Sequence, residues 1–195
     1  MAVEFPNSVF IHIPKCGGRW AKNTLNRYVK GYKTIGDPVY DSHSSPDTDK
    51  PVFCIVREPA MFAHSLWHHR ARKKANKHGH AFNWQDYLRL ENECQSENYH
   101  TFMENVANCE NGVHEYFQHY IKKYETVYCA RLENIGEELS DILDSLGEEI
   151  NRAGIFEATR TVIGKGTSTD KVDEDIRLRI NRANKDFCKS FDYPL

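Results

Sequence analysis

Short apolar runs alternate with longer amphipathic stretches along the chain. "SVFIHIP" (8–14) is β-branched and aromatic and predicts a strand. From Trp20 to about Val29 the spacing changes to that of a helix, with Trp20, Leu25 and Tyr28 as core contacts. "GYKTIGD" (31–37) holds a weak second strand, and "DSHSSPDTDKP" (41–51) is a polar loop of turn formers. "PVFCIV" (51–56) is continuously apolar, as suits a strand buried on both faces. A helix follows from Ala60 to about Ala75. Residues 82–124 are mostly helical, with Tyr116, Phe117, Tyr120 and Ile121 at helical spacing. "ETVYCARLE" (125–133) returns to strand character. "EELSDILDSLG" (137–147) is a helix with Leu139, Ile142, Leu143 and Leu146 on one face and Gly147 as its stop. "TVIGKGTSTDK" (161–171) predicts a loop, and one last helix runs over 172–187.

Strands alternating with helices predict an α/β fold with a mainly parallel central sheet flanked by helices. The 195 residues suit a single domain over 1–195. Ligands of such sheets bind beyond the C-terminal strand ends. The segments 14–20 and 57–65 both leave such ends and are expected on the same edge.

Composition narrows the function classes. The chain is 39% hydrophobic and 28% charged with net charge −2, so no global field draws it to nucleic acid or membrane. No apolar run approaches the ~20 residues of a membrane span. The N-terminus lacks the pattern of a signal peptide, and a soluble cytoplasmic protein is expected. Six scattered cysteines form no CxxC pair, and disulfides are not expected. Cys54 and Cys129 fall inside strands, where a free cysteine acts as a small hydrophobe. Ten histidines show no zinc-site spacing.

Two stretches carry candidate chemistry. In "IHIPKCGGRW" (11–20) a lysine and two glycines stand where a strand hands over to a helix. Unpaired N–H groups at a helix start favour an anion, glycines permit its approach, and Lys15 adds charge. The alternative is a tight strand-to-helix turn with a surface lysine. The order is not that of a Walker A loop, whose lysine follows its second glycine. In "CIVREPAMFAHSLWHHR" (54–70), Arg57 closes a buried strand and Ser65 lies on the helix beyond it, a pairing suited to a phosphate.

Together these stretches resemble the sulfotransferases that use 3′-phosphoadenosine 5′-phosphosulfate (PAPS). "IPKCGGRW" resembles the family's 5′-phosphosulfate loop. "VREPAMFAHSLW" resembles its 3′-phosphate motif, with Arg57, Pro59 and Ser65 in register. "YCARLENIGEELSDILDSLG" and the closing "IRLRINRANKDFCKSFDYPL" are similar to later family segments. The resemblance implies a P-loop-like α/β sheet. It implies that Lys15 contacts the phosphosulfate and its bridging oxygen. The loop Cys16, Gly17, Gly18, Arg19 and Trp20 would cradle the 5′-phosphate, and Arg57 and Ser65 the 3′-phosphate. Lys165, Thr167 and Ser168 would come from a late loop over the nucleotide. Three positions depart from the pattern: Cys16 and Arg19 replace hydroxyl residues, and Phe62 stands where a second arginine is usual.

The implied reaction moves a sulfuryl group from PAPS to a hydroxyl of a carbohydrate or other small acceptor, leaving PAP. It proceeds in line through a loose transition state and requires no metal. Lys15 would stabilise the leaving oxygen. His43, in "DSHSS" before the second long strand, is the candidate general base, titrating near neutral pH. Glu58 is a lesser candidate. His64, His68 and His69 read as surface or substrate-side groups. The basic run 68–80 is either a solvated helix end or a track for an anionic acceptor such as an acidic glycan. A different P-loop-like small-molecule kinase, or a non-catalytic relative that binds PAP or another nucleotide, would share much of this pattern.

Overall fold

The computed structural model describes residues 2–35, 45–74, 84–85, 88–163 and 172–195, with the backbone alone at 71–74 and 160–163. Its strands are β1 (Ala2–Glu4), β2 (Val9–Ile11), β3 (Lys33–Ile35), β4 (Val52–Val56) and β5 (Val127–Arg131). Its helices are α1 (Gly18–Tyr28), α2 (Pro59–Lys74), α3 (Arg89–Cys94), α4 (Tyr99–Ala107), α5 (Gly112–Ile121), α6 (Ile135–Ser145), α7 (Arg152–Ile163), α8 (Glu174–Ala183) and α9 (Lys185–Ser190). The chain forms two compact units, each from two stretches. The first joins Met1–Arg57 with Tyr120–Thr169, and the second joins Glu58–His119 with Asp170–Leu195.

The first unit is α/β. Its five strands lie in the order β3-β1-β2-β4-β5. β2, β4 and β5 run parallel, while β1 is antiparallel to both β2 and β3. The sheet is therefore mixed, where the sequence predicts a mainly parallel one. The difference lies in β1, whose three residues are too few to show an alternation. A tight turn folds β1 back onto β2, with Phe5 N–H donating to the Ser8 carbonyl at 2.9 Å. All five residues of β4 are buried, as its unbroken apolar run predicts.

α6 packs on β5, and α7 packs on α1 and α6. Leu139 and Leu143 are the buried face of α6. Its end closes as Gly147 predicts: Gly147 takes φ 71°, and Glu148 N–H donates to the Leu143 carbonyl at 3.0 Å. α7 is absent from the sequence reading, which assigns Thr161–Ile163 to a loop. In the fold these three residues finish the helix. Among its described side chains, Ile155 and Thr159 are buried.

The second unit is helical over its described residues. Phe62 is fully buried, with its ring 4.9 Å from Tyr116 and 5.1 Å from Phe117. Burying such a side chain contributes about 1.5–3 kcal/mol. Packing thus accounts for an aromatic residue where the resemblance expects an arginine. The predicted last helix is broken in two at Asn184. This fully buried side chain accepts from Val113 N–H at 3.1 Å and His114 N–H at 3.2 Å, and donates to the Ile180 carbonyl at 2.9 Å. It caps the start of α5, which its own helix could not do without a break.

Among the described residues, no helix is long and apolar enough to cross a membrane.

Candidate functional site

Parallel strands end on a common edge, and in the first unit that edge gathers the loop after β2, Arg57 after β4, and the turn Leu132–Asn134 after β5. Ile11, Cys54 and Cys129 are register partners across the three strands; β2 stops at that level, while β4 and β5 continue together to Val56 and Arg131. Arg57 Nη1 donates to the Lys15 carbonyl in a long hydrogen bond of 3.4 Å. Two cations carried by neighbouring strands thus share one loop.

The loop's backbone is unusual. Lys15 has φ 66° and Gly17 φ 75°, both left-handed. For a lysine this costs about 1–2 kcal/mol, a strain that surrounding structure must hold. Gly17 is the N-cap of α1 and offers no side chain to the exposed N–H groups of the first turn. Ala21 N–H already bonds the Gly17 carbonyl at 2.9 Å, so the groups left over belong to the residues just before it.

Both glycines also have a packing reason. A Cβ on Gly17 would sit 2.8 Å from Leu132 Cδ1, and one on Gly18 would lie 1.7 Å from His12 Nε2. The imidazole of His12 occupies the space a side chain at 18 would need. Close approach by the protein itself, and not only by a ligand, therefore requires these residues.

The other loop residues divide by exposure. Arg19 is exposed and Lys15 and Arg57 are half-buried. Cys16 is 1% exposed, so the loop offers a ligand its backbone there and not its thiol. Burial holds the Cys16 thiol far above its ordinary value and Glu133 adds to this, while Arg57 and Lys15 oppose it. Cys16 is thus a neutral packing group beneath the loop. Trp20 is also buried and its indole N–H donates to the Ala158 carbonyl at 3.1 Å, anchoring α1 to α7.

Sequence reasoning missed His12 and the β5 turn. His12 is a single polar residue at the end of an apolar run, directly before the loop, and that interruption was a usable signal. Glu133 and Arg131 close a predicted strand, as Arg57 does. Arg131 is engaged by Glu138, which accepts from its backbone N–H and from Nε, each at 2.7 Å. Glu133 contributes the negative charge felt at Cys16.

Ser65 lies half-buried on α2, in the second unit. Glu58, also there, is 4% exposed. Its carboxylate accepts from Arg177 at 2.7 and 3.2 Å and from Asn181 at 2.7 Å, the geometry of a structural latch. His64 is not a surface group: it is buried, and Nδ1 lies 2.8 Å from the Tyr99 hydroxyl. Within the basic run, Arg70 is buried and ion-paired with Glu91. His43, Lys165, Thr167 and Ser168 lie outside the described residues. Among the described residues there is no group of three or more His, Cys, Asp or Glu side chains placed to hold a metal.

No protein-family model, curated protein or solved structure matches the chain.

Proposed function

We propose that the chain is a PAPS-dependent sulfotransferase, with the parallel trio β2, β4 and β5 serving as a P-loop-like core. The observation that carries this reading is the contact of Arg57 with the Lys15 carbonyl above a helix start without a side-chain cap. An arginine, a lysine and unpaired N–H groups converging on one strand edge suit a substituent bearing several negative oxygens. Lys15 binds the phosphosulfate and stabilises the leaving oxygen. Backbone groups of Cys16, Gly17 and Gly18, with Arg19, hold the 5′-phosphate. Arg57 binds the 3′-phosphate. His43 accepts the proton of the acceptor hydroxyl as the oxygen attacks sulfur. The acceptor is a carbohydrate or other small molecule, possible anionic character being met by the basic run. No metal takes part and no nucleic acid or membrane partner is invoked.

The test is PAP binding by calorimetry without magnesium. Micromolar binding that falls roughly tenfold or more in Lys15→Ala and in Arg57→Ala is the expected result. A folded parent that binds no PAP overturns the proposal. Binding of ATP only with magnesium would point to a kinase instead.

The packing of His12 and Leu132 favours a second reading, in which the glycines serve the turn alone and the loop binds nothing. That reading predicts a loss of stability in Gly18→Ala with no PAP binding in the parent.

A further inference from the structure

Cys54 and Cys129 are register partners on the neighbouring parallel strands β4 and β5. Their sulfurs lie 3.5 Å apart. Cys54 is fully buried and Cys129 is half-buried, so a reagent reaches the pair from the Cys129 side. We propose that Cys54 and Cys129 form a reversible redox modification site, a dithiol that a peroxide converts to a disulfide across the sheet.

The geometry is close to that of the product. Register partners on adjacent strands hold their Cα atoms near the span a disulfide bridges, and the sulfurs need to close to about 2.05 Å. The two thiols are chemically unequal. The contact between the sulfurs lowers the pKa of Cys129 and, with burial, raises that of Cys54, and Cys129 is also the one a reagent can reach. Cys129 is therefore the first nucleophile. Its thiolate attacks one peroxide oxygen, the O–O bond breaks, and hydroxide leaves and is protonated to water, giving Cys129 sulfenic acid. Cys54 sulfur then attacks the Cys129 sulfur. The S–O bond breaks, and the departing hydroxide takes the Cys54 proton as a second water. Two thiols are oxidised by two electrons and one peroxide is reduced. A thiol reductant reverses the bond by exchange, attacking one sulfur and releasing the other.

The pair lies within electrostatic reach of Cys16, the buried residue of the candidate loop. Cys16 is the competing partner, which makes the linkage itself the decisive readout. The experiment exposes the native full chain to hydrogen peroxide, blocks remaining thiols, and maps peptides without reduction. The expected result is a linked pair of peptides containing Cys54 and Cys129, lighter by two hydrogen atoms and restored by dithiothreitol. Cys129→Ser should remove the link, and Cys54→Ser should leave Cys129 to advance to sulfinic acid. A link from either residue to Cys16, or sulfinic acid at Cys129 in the parent without any link, overturns the proposal. So does survival of both thiols at peroxide levels that oxidise an exposed cysteine peptide. None of these outcomes depends on PAP binding, so failure here and failure of the sulfotransferase reading remain distinct.

Discussion

The two units treat charge in opposite ways. In the helical unit two buried charges have fitted partners: Glu58 accepts from Arg177 and Asn181, and Arg70 pairs with Glu91. On the strand edge of the α/β unit, Arg57 is half-buried and, among the described residues, donates to a neutral carbonyl. A buried charge with a fitted counterion is architecture, because removing either partner strands the other away from water. A half-buried cation on a neutral acceptor retains most of its capacity to meet an anion. The same residue type therefore carries different weight in the two places.

The largest expected effect comes from breaking the architectural side of this contrast. Glu91→Ala leaves Arg70 buried without its carboxylate and should cost about 3–5 kcal/mol in chemical denaturation. Replacing both with apolar residues of similar volume, Arg70→Met with Glu91→Leu, should recover most of that loss. A single-variant loss below about 1 kcal/mol would mean that the pair is solvated and that the contrast fails.

Gly18→Ala comes next. The new Cβ would fall on His12 Nε2, so the ring must move, at a cost of about 1–3 kcal/mol. The double variant His12→Ala with Gly18→Ala should regain stability. If it does so while PAP still binds the single variant normally, the glycine serves packing; if PAP binding stays lost in the double variant, it serves the ligand as well.

Arg57→Ala sharpens the other side. Deleting a half-buried arginine from a long bond to a carbonyl should cost no more than about 1 kcal/mol of stability. The same change should weaken PAP binding roughly tenfold. A large stability loss with no effect on binding would place Arg57 with Arg177, as architecture.

What the chain discloses in advance follows the strength of local patterns. β4 is five buried residues in a row and was legible, as was α6 with its leucine face and Gly147 stop. β1 was not, because three residues fix no period and its partners supply the reason it is a strand. Nor was the break at Asn184, which is set by two backbone donors at the start of α5, 71 and 70 positions away in the chain. At the site, Lys15 and Arg57 were legible as cations leaving strands, and their meeting follows from parallel pairing. The role of His12 was not, since only the folded loop shows what fills the space beside Gly18.

The smallest effect concerns Cys16, which lies under both cations yet remains neutral. Burial, the leading cause, raises its pKa in the fold above the unfolded value. Below the unfolded thiol value both states keep the proton, and Cys16 contributes no pH dependence. Above about pH 8.5 the unfolded chain loses the proton while the fold retains it, so stability falls as pH rises. The parent should therefore lose stability relative to Cys16→Ala between neutral and mildly alkaline pH, measured by urea denaturation at each pH. Arg57 and Lys15 oppose the shift, but the buried thiol keeps its proton across this window with or without Arg57, so Arg57→Ala should leave the slope of the decline unchanged. A parent profile parallel to that of Cys16→Ala would mean that the fold leaves the thiol unshifted, and one that rises with pH relative to Cys16→Ala would show that the cations hold a thiolate there, moving Cys16 from the packing beneath the loop to its chemistry.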